Sequence, residues 1–389
     1  MSRKTYCLIS NLIALEHDDF IVKHSKIAIP FSSINYNRKI IEAFLLENKH
    51  KIIPLATTGI PAYPRFSDLK KIKPLPCYGS NTIAHNNLLG IRNISEMKAF
   101  KNQIKKMESV DYAVVSNLHS PFLYAAKILK KKHKAKMIVI VYDLPQFMSF
   151  TKRSFIYRVL KTIDKIIIKR YLKHADAFIL VSEATNAIVN KYNKPYVVLE
   201  GIIEDKPMLK PSTNKVIMYS GLLMFAFDIK LLIESFIKAN EKVNNSFTLE
   251  LYGSGDAIDY ILDTAKLHPE IKYMGMVSPK KLTNARENAF AFINPRRNVE
   301  EFTKYSFPSK NLEYLQTGKP VIGFHFPSAS ENLNELIFAP KDNEGDLANA
   351  IERVMSLSQK EIEIYQQLVL KNLKPYRASN YIKVLQELI

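Results

Sequence analysis

Short apolar runs alternate with longer amphipathic stretches along the whole chain, the pattern of strand-helix-strand units that form parallel sheets. In the first half the runs are TYCLIS (5–10), KIIPLA (51–56), YAVVSN (112–117), KMIVIVYD (136–143), AFILVS (177–182) and YVVLEG (196–201). In the second half they are KVIMYSG (215–221), FTLELYG (247–253), IKYMG (271–275), AFAFINP (289–295) and PVIGFH (320–325). The stretch MIVIVY (137–142) has the length of a buried strand and is far too short to span a membrane. Between the two sets lies IIEDKPMLKPSTNK (202–215), polar and holding two prolines, which reads as a linker with the boundary near residue 207. The pattern therefore predicts an α/β protein with one unit over 1–206, a second over 207–372, and a closing helix over 373–389. Pro375 parts that last helix from the preceding one at 359–372.

The length, 389 residues, exceeds what one core sustains and suits two. With 47% hydrophobic and 24% charged residues, disorder and low complexity are excluded as general descriptions. Cys7 and Cys77 supply neither a disulfide framework nor ligand spacing for a structural metal, so a reducing cytosol is expected. The opening MSRKTYCLISNLIALEHDDF has no small-residue cleavage site and reads as a first strand.

Charge changes the picture once it is divided. Residues 1–205 hold 33 Lys/Arg against 16 Asp/Glu, a balance of +17, whereas the remainder holds 23 against 21. A basic half predicts an anionic partner: a lipid surface, a phosphorylated substrate or nucleic acid, with plain solubility as the bland alternative. Two segments concentrate the charge, LKKKHKAK (129–136) and TKRSFIYRVLKTIDKIIIKRYLKH (151–174). In the second, Phe155, Val159, Ile163, Ile166 and Ile167 fall near one helical face. In an α/β domain that face is expected to pack on the sheet, leaving the basic residues toward water or an anionic bilayer. No aromatic-basic recognition module is visible, so nucleic acid is not expected as a partner.

Candidate chemistry sits at the carboxyl ends of second-half strands, where open α/β sheets bind ligands. These are YSG (219–221), YGSGD (252–256), NPRRN (294–298) and EEFTKYSFPSKNLEYLQTGKPVIGF (300–324). Pro308 suits a helix start and Gly318 a helix end, predicting a short helix over about 308–317. Ser309 and Lys310 at its front suit a diphosphate. Glu313, one turn on, suits the vicinal hydroxyls of a ribose, and Arg296 adds a second cation. The bland alternative is that Lys310 and Glu313 are ordinary exposed helix residues.

The succession YSG, LELYGSGD, YMGMVSPKKL, INPR and FPSKNLEYLQTGKPVI resembles the carboxyl-terminal domain of GT-B glycosyltransferases, in particular the mostly retaining family four of polysaccharide-biosynthesis type. The resemblance covers about 215–325; the first half matches in outline, through VYDLP (141–145) and LVSEAT (180–185). It implies a GT-B fold, two Rossmann-like parallel-sheet domains facing across a cleft, with the acceptor on the first domain and a nucleotide sugar, a UDP- or GDP-sugar, on the second. It implies that Glu313 meets the donor ribose, Ser309 and Lys310 the diphosphate, Gly221 and Gly253 the donor cleft, and Val277 the nucleobase, without a bound metal or other cofactor.

Three departures bear on activity. The family's first glutamate is replaced by Tyr305, followed by Ser306, with Glu300 or Glu301 as substitutes. The basic pair after the first strand is absent from GLLMFAFDIK (221–230), leaving Arg296, Arg297 or Lys310 to neutralise phosphate. The family's amino-domain histidine falls at Tyr142 and Asp143, with His119 in SNLHSP as another candidate. The expected function is sugar transfer to a lipid-linked or polysaccharide acceptor of the bacterial cell envelope, in the cytoplasm at the inner face of the plasma membrane. Asp143, His119, Arg296 and Lys310 are the catalytic candidates. An inactive GT-B binding partner of another transferase and a nucleotide-sugar epimerase remain as alternatives.

Overall fold

The computed structural model describes residues 3–27, 29, 31–144, 155–299, 301–340 and 346–388. The chain divides into two units, Met1–Glu204 with Tyr376–Ile389, and Asp205–Pro375. Each is built on a six-stranded parallel sheet.

The first sheet uses Thr5–Asn11 (β1), Lys51–Thr57 (β2), Tyr112–Ser116 (β3), Lys136–Val141 (β4), Ala177–Leu180 (β5) and Tyr196–Val198 (β6) in the order β6-β5-β4-β3-β1-β2. The central strands are buried almost throughout, as a sheet covered on both faces requires. Pro54 lies within β2, and an edge strand tolerates the missing amide donor. The crossover helices include Phe31–Glu47 (α1), Arg92–Lys105 (α2), Ser120–His133 (α3) and Phe155–Leu172 (α4). The winding runs from β1 outward to β2 and then returns past β1 to β3, so it reverses between β1 and β3. Two short antiparallel pairs, Lys71–Ile72 with His85–Asn86 and Pro76–Cys77 with Ser80–Asn81, are too brief to show a period in sequence.

The second sheet uses Val216–Leu222 (β7), Thr248–Ser254 (β8), Ile271–Gly275 (β9), Ala291–Asn294 (β10), Val321–Gly323 (β11) and Ile337–Phe338 (β12) in the order β9-β8-β7-β10-β11-β12. Its reversal lies between β7 and β10. Ile217, Leu249, Leu251, Ile293 and Ile322 pack with Leu232, Phe236 and Ile351 in a fully buried core. Each such side chain contributes about 1.5–3 kcal/mol by leaving water. The helices Pro279–Asn288 (α5) and Ser309–Leu315 (α6) carry the residues of interest.

Gln359–Asn372 forms the expected helix, opened by a reciprocal Ser358/Glu361 cap. The closing helix is Ala378–Glu387 (α7), and it belongs to the first unit. Its Ala378, Tyr381, Ile382 and Leu385 are buried, and the Tyr381 ring meets Tyr36 of α1 edge-on at 6.5 Å. Backbone bonds between Ile203 and the Tyr376–Ala378 segment fasten its start.

The basic helix differs from expectation. Ile163 and Ile166 point outward, at 49% and 60% exposure, while Ile168 and Leu172 are the residues turned inward. Phe155 and Val159 have side chains outside the described part. Two isoleucines assigned to the packing face thus lie on the solvent face among the lysines.

Candidate functional site

At the reversal of the second sheet, the strand ends are stripped of side chains. Gly221 of β7 pairs in register with Gly253 of β8. A Cβ on Gly253, whose φ is +132°, would lie 1.8 Å from the Gly221 carbonyl oxygen. A Cβ on Gly221 would lie 1.9 Å from Lys310 Nζ. At Gly253 the clash is with fixed backbone, so only glycine permits the approach there.

Lys310 arrives there because α6 is anchored twice. The buried Tyr314 ring stacks on Phe292 of β10 at 4.6 Å, and its hydroxyl accepts from the Ser220 amide at 2.9 Å. Asn294 Nδ2 donates to Asn311 Oδ1 at 2.6 Å between two buried amides. Helical periodicity turns Asn311, Leu312, Tyr314 and Leu315 into the core and leaves Ser309 exposed and Lys310 and Glu313 half-buried. Pro308 is the residue before the helix, not its first turn, and the helix stops at Leu315, short of the expected 317. Gly318, at φ +77°, follows. The lysine of the Gly-Lys-Pro break is structural: buried Lys319 donates to the carbonyls of Glu287 and Ala289 at the end of α5.

The electrostatics are lopsided. Lys310 Nζ stands 4.2 Å from the centre of the Tyr219 ring. Burial pushes its ammonium down to about 8, against an upward pull from Glu313 and with further lowering by Arg286 and Arg296. An ammonium that is charged at neutral pH yet poorly solvated gains by taking up an anion. Arg296 lies over Phe227 at 5.4 Å and Phe302 at 4.8 Å. Arg297 is not part of this group: its guanidinium and amide both engage Asp228.

The remaining second-unit candidates occupy flanking segments. Val277 is half-buried between the end of β9 and Ser278, which caps α5. Tyr305 donates its amide to the Phe302 carbonyl at 2.9 Å, and the Ser306 carbonyl accepts from Ser328 Oγ at 3.0 Å. Glu301 is exposed in a 3-10 turn, and Glu300 lies outside the described residues. Sequence reasoning missed Arg286, whose Nη2 lies 3.4 Å from Glu313 Oε2. The two stand 27 positions apart, and no local spacing signals the pair.

His119 and Asp143 belong to the first unit, at the carboxyl ends of neighbouring strands. Ser116 pairs with Ile140, and each candidate stands three residues beyond its paired position. Burial pushes Asp143 up to about 6, and the carboxyl has no hydrogen-bond or ion-pair partner among the described residues. His119 is fastened instead, with Nε2 2.8 Å from Glu96. That carboxylate is fully buried and also holds Arg92 at 2.7 Å, with His85 Nε2 3.3 Å away. Burial works to raise Glu96, but Arg92, His119 and His85 outweigh it and hold the group well below the usual carboxylate range. Arg92 and Glu96 stand four residues apart on α2, a spacing that sequence could have flagged. Among the described residues no group of three or more His, Cys, Asp or Glu side chains is arranged to hold a metal ion.

Comparison with known proteins gives the following. Residues 214–356 match the family model described as Glycosyl transferases group 1. No curated protein matches the sequence. Among solved structures, sucrose-phosphate synthase from Thermosynechococcus elongatus is similar at a TM-score of 0.63 and 15% identity, over 99% of each chain. The lipopolysaccharide outer core galactosyltransferase WaaB, in its apo form, gives 0.59 at 14% identity over 98% of each chain. HepE of Anabaena, in complex with UDP, gives 0.57 at 12% identity over 99% of this chain and 100% of that one. The fold is therefore GT-B, with two Rossmann-like parallel-sheet units, and residues 214–356 are similar to the glycosyl transferases group 1 family.

Proposed function

We propose that the second unit holds a nucleoside-diphosphate sugar and that the first holds a lipid-linked or polysaccharide acceptor to which the sugar is passed. One observation carries the reading: the Lys310 ammonium stands where a Cβ on Gly221 would lie, at the winding reversal of a unit similar to the group 1 family. Lys310 and Arg296 receive the negative charge that grows on the diphosphate as its bond to the sugar carbon breaks. Glu313 accepts from the ribose hydroxyls. Asp143, with His119 on the adjacent strand, positions the acceptor hydroxyl, which forms the new bond to the sugar carbon on the face the diphosphate leaves and gives its proton to the departing diphosphate oxygen. Retention of configuration and reaction without a metal follow from the resemblance to family four. The UDP bound to HepE supports UDP as the first donor to try.

The first unit also offers a surface for an anionic membrane. Leu89, Ile91, Ile94, Ile163 and Ile166 are exposed, with Ile94 at 68%. Asn93 Nδ2 donates to Asp164 Oδ1 at 3.2 Å, which joins the start of α2 to the middle of α4 between the chain neighbours Ile94 and Ile163. Exposed Lys98, Lys101, Lys165, Lys169 and Arg170 share the two helices. Aliphatic side chains among basic ones suit a peripheral position on an anionic leaflet. No helix among the described residues is long and apolar enough to cross a membrane.

Titrating the protein with a panel of nucleotide sugars tests the reading. One of them is expected to bind and to yield free nucleoside diphosphate with a lipid-linked acceptor, Lys310→Ala to remove binding and Glu313→Ala to weaken it about tenfold. If none binds, the reading fails. Binding without turnover, restored by a partner transferase, would instead support the scaffold alternative, and Tyr305 in place of the family's glutamate is the observation in its favour.

A further inference from the structure

Glu313 has a neighbour that no motif assigns. Arg286, on α5, brings Nη2 to 3.4 Å from Glu313 Oε2, and both side chains are partly exposed. The distance is longer than the 2.7–2.9 Å usual for a charge-assisted bond. The other carboxylate oxygen accepts no hydrogen bond among the described residues, and the buried Arg286 Nε has no partner. A pair this loosely satisfied is arranged for a third participant.

We propose that Arg286 is the positioning residue for Glu313, holding one carboxylate oxygen so that the other faces the vicinal hydroxyls of a ribose. The inference rests on the reading that the second unit binds a nucleoside diphosphate. A carboxylate receiving two hydroxyl groups must keep its plane, and an arginine on a separate helix secures it. Without it, Glu313 has a competing partner in Lys310, three residues earlier on α6. A swing toward Lys310 would spend the ribose acceptor on the ammonium required at the diphosphate. Arg286 thus keeps the two ends of one ligand site from neutralising each other.

The same geometry couples the site to pH. Lys310 faces Tyr219 from β7, Arg296 from the segment after β10, Arg286 from α5, and Glu313 on its own helix. Arg286 lowers the Lys310 pKa and Glu313 raises it. Removing Arg286 should extend diphosphate affinity to higher pH, and Glu313→Gln should curtail it at lower pH.

Calorimetric titration of the full chain with UDP, GDP and their 2′-deoxy counterparts tests the role. The natural protein is expected to favour the ribonucleotide about tenfold, the weight of one charge-assisted hydrogen bond. Arg286→Gln should erase most of that preference while leaving deoxynucleotide affinity within about twofold, and Arg286→Lys should restore part of it. Equal weakening toward both sugars, or an undiminished preference in Arg286→Gln, overturns the inference. Failure of the natural protein to bind any of the four would remove the donor-site reading itself, a result distinct from either.

Discussion

The two sheets reverse their winding in the same way and end in opposite chemistry. In the second unit the strand ends are bare backbone at Gly221 and Gly253, and a partly desolvated cation stands over them. In the first unit the corresponding place, between β1 and β3, is filled. Asn37 Nδ2 donates to the Asn11 carbonyl at 2.9 Å, and Ser116 Oγ donates to Asn37 Oδ1 at 2.5 Å and lies 3.3 Å from the Tyr142 hydroxyl. The Tyr36 and Tyr142 rings lie 5.2 Å apart beside them. One reversal is bare backbone beside a cation and the other is closed with neutral hydrogen bonds, so topology decides where a site can be and side chains decide whether there is one. Part of the excess positive charge of residues 1–205 is the exposed Lys165, Lys169 and Arg170 of α4.

The contrast breaks most completely at Gly253. Gly253→Ala puts a methyl group into the Gly221 carbonyl in a backbone conformation that alanine resists, and should cost about 3 kcal/mol of stability together with nucleotide binding. Urea midpoints measure the first loss and titration the second. Lys310→Gln tests the cation itself: turnover should fall by about a thousandfold, the scale of losing a principal stabiliser of developing charge. Asp143→Asn tests the first unit's counterpart and should lower turnover by about a hundredfold. The two substitutions also divide the pH profile of kcat/KM. A carboxylate held at about 6 accepts the acceptor's hydroxyl only when deprotonated, so activity is lost as pH falls through that value, and Asp143→Asn should flatten the acid limb. A cation held at about 8 is active only when protonated, so activity is lost as pH rises through it, and Lys310→Gln should flatten the alkaline limb. The smallest effect is expected on the outer face. Ile166→Glu should weaken binding to phosphatidylglycerol-containing vesicles about tenfold and leave nucleotide affinity unchanged.

Much of this was legible in the chain because it depends on short-range patterns. The apolar runs announced nearly every strand of the two sheets, and FPSKNLEYLQTGKPVIGF announced a helix delivering Lys310 and Glu313 to a strand end. What the pattern hid is set by distance in sequence. Arg286 meets Glu313 only through the packing of α5 beside α6, and Glu96 meets His119 only through the packing of α2 on α3. The direction of Ile163 and Ile166 was misjudged for a related reason. A helix with apolar residues on more than one face cannot reveal from periodicity alone which face the sheet will cover. The burial of Lys319, whose ammonium meets the carbonyls at the end of α5, is visible only in the fold.

The return of α7 to the first unit has a consequence for biosynthesis. Tyr381, Ile382 and Leu385 complete a core whose other members lie before Glu204, and the whole of Asp205–Pro375 is translated in between. The first unit therefore emerges from the ribosome with one apolar face uncovered and must wait for the second to be made, while the second has all its own residues in one continuous piece. The order of folding is then the reverse of the order of synthesis: the later unit can settle first, and the earlier one is sealed last.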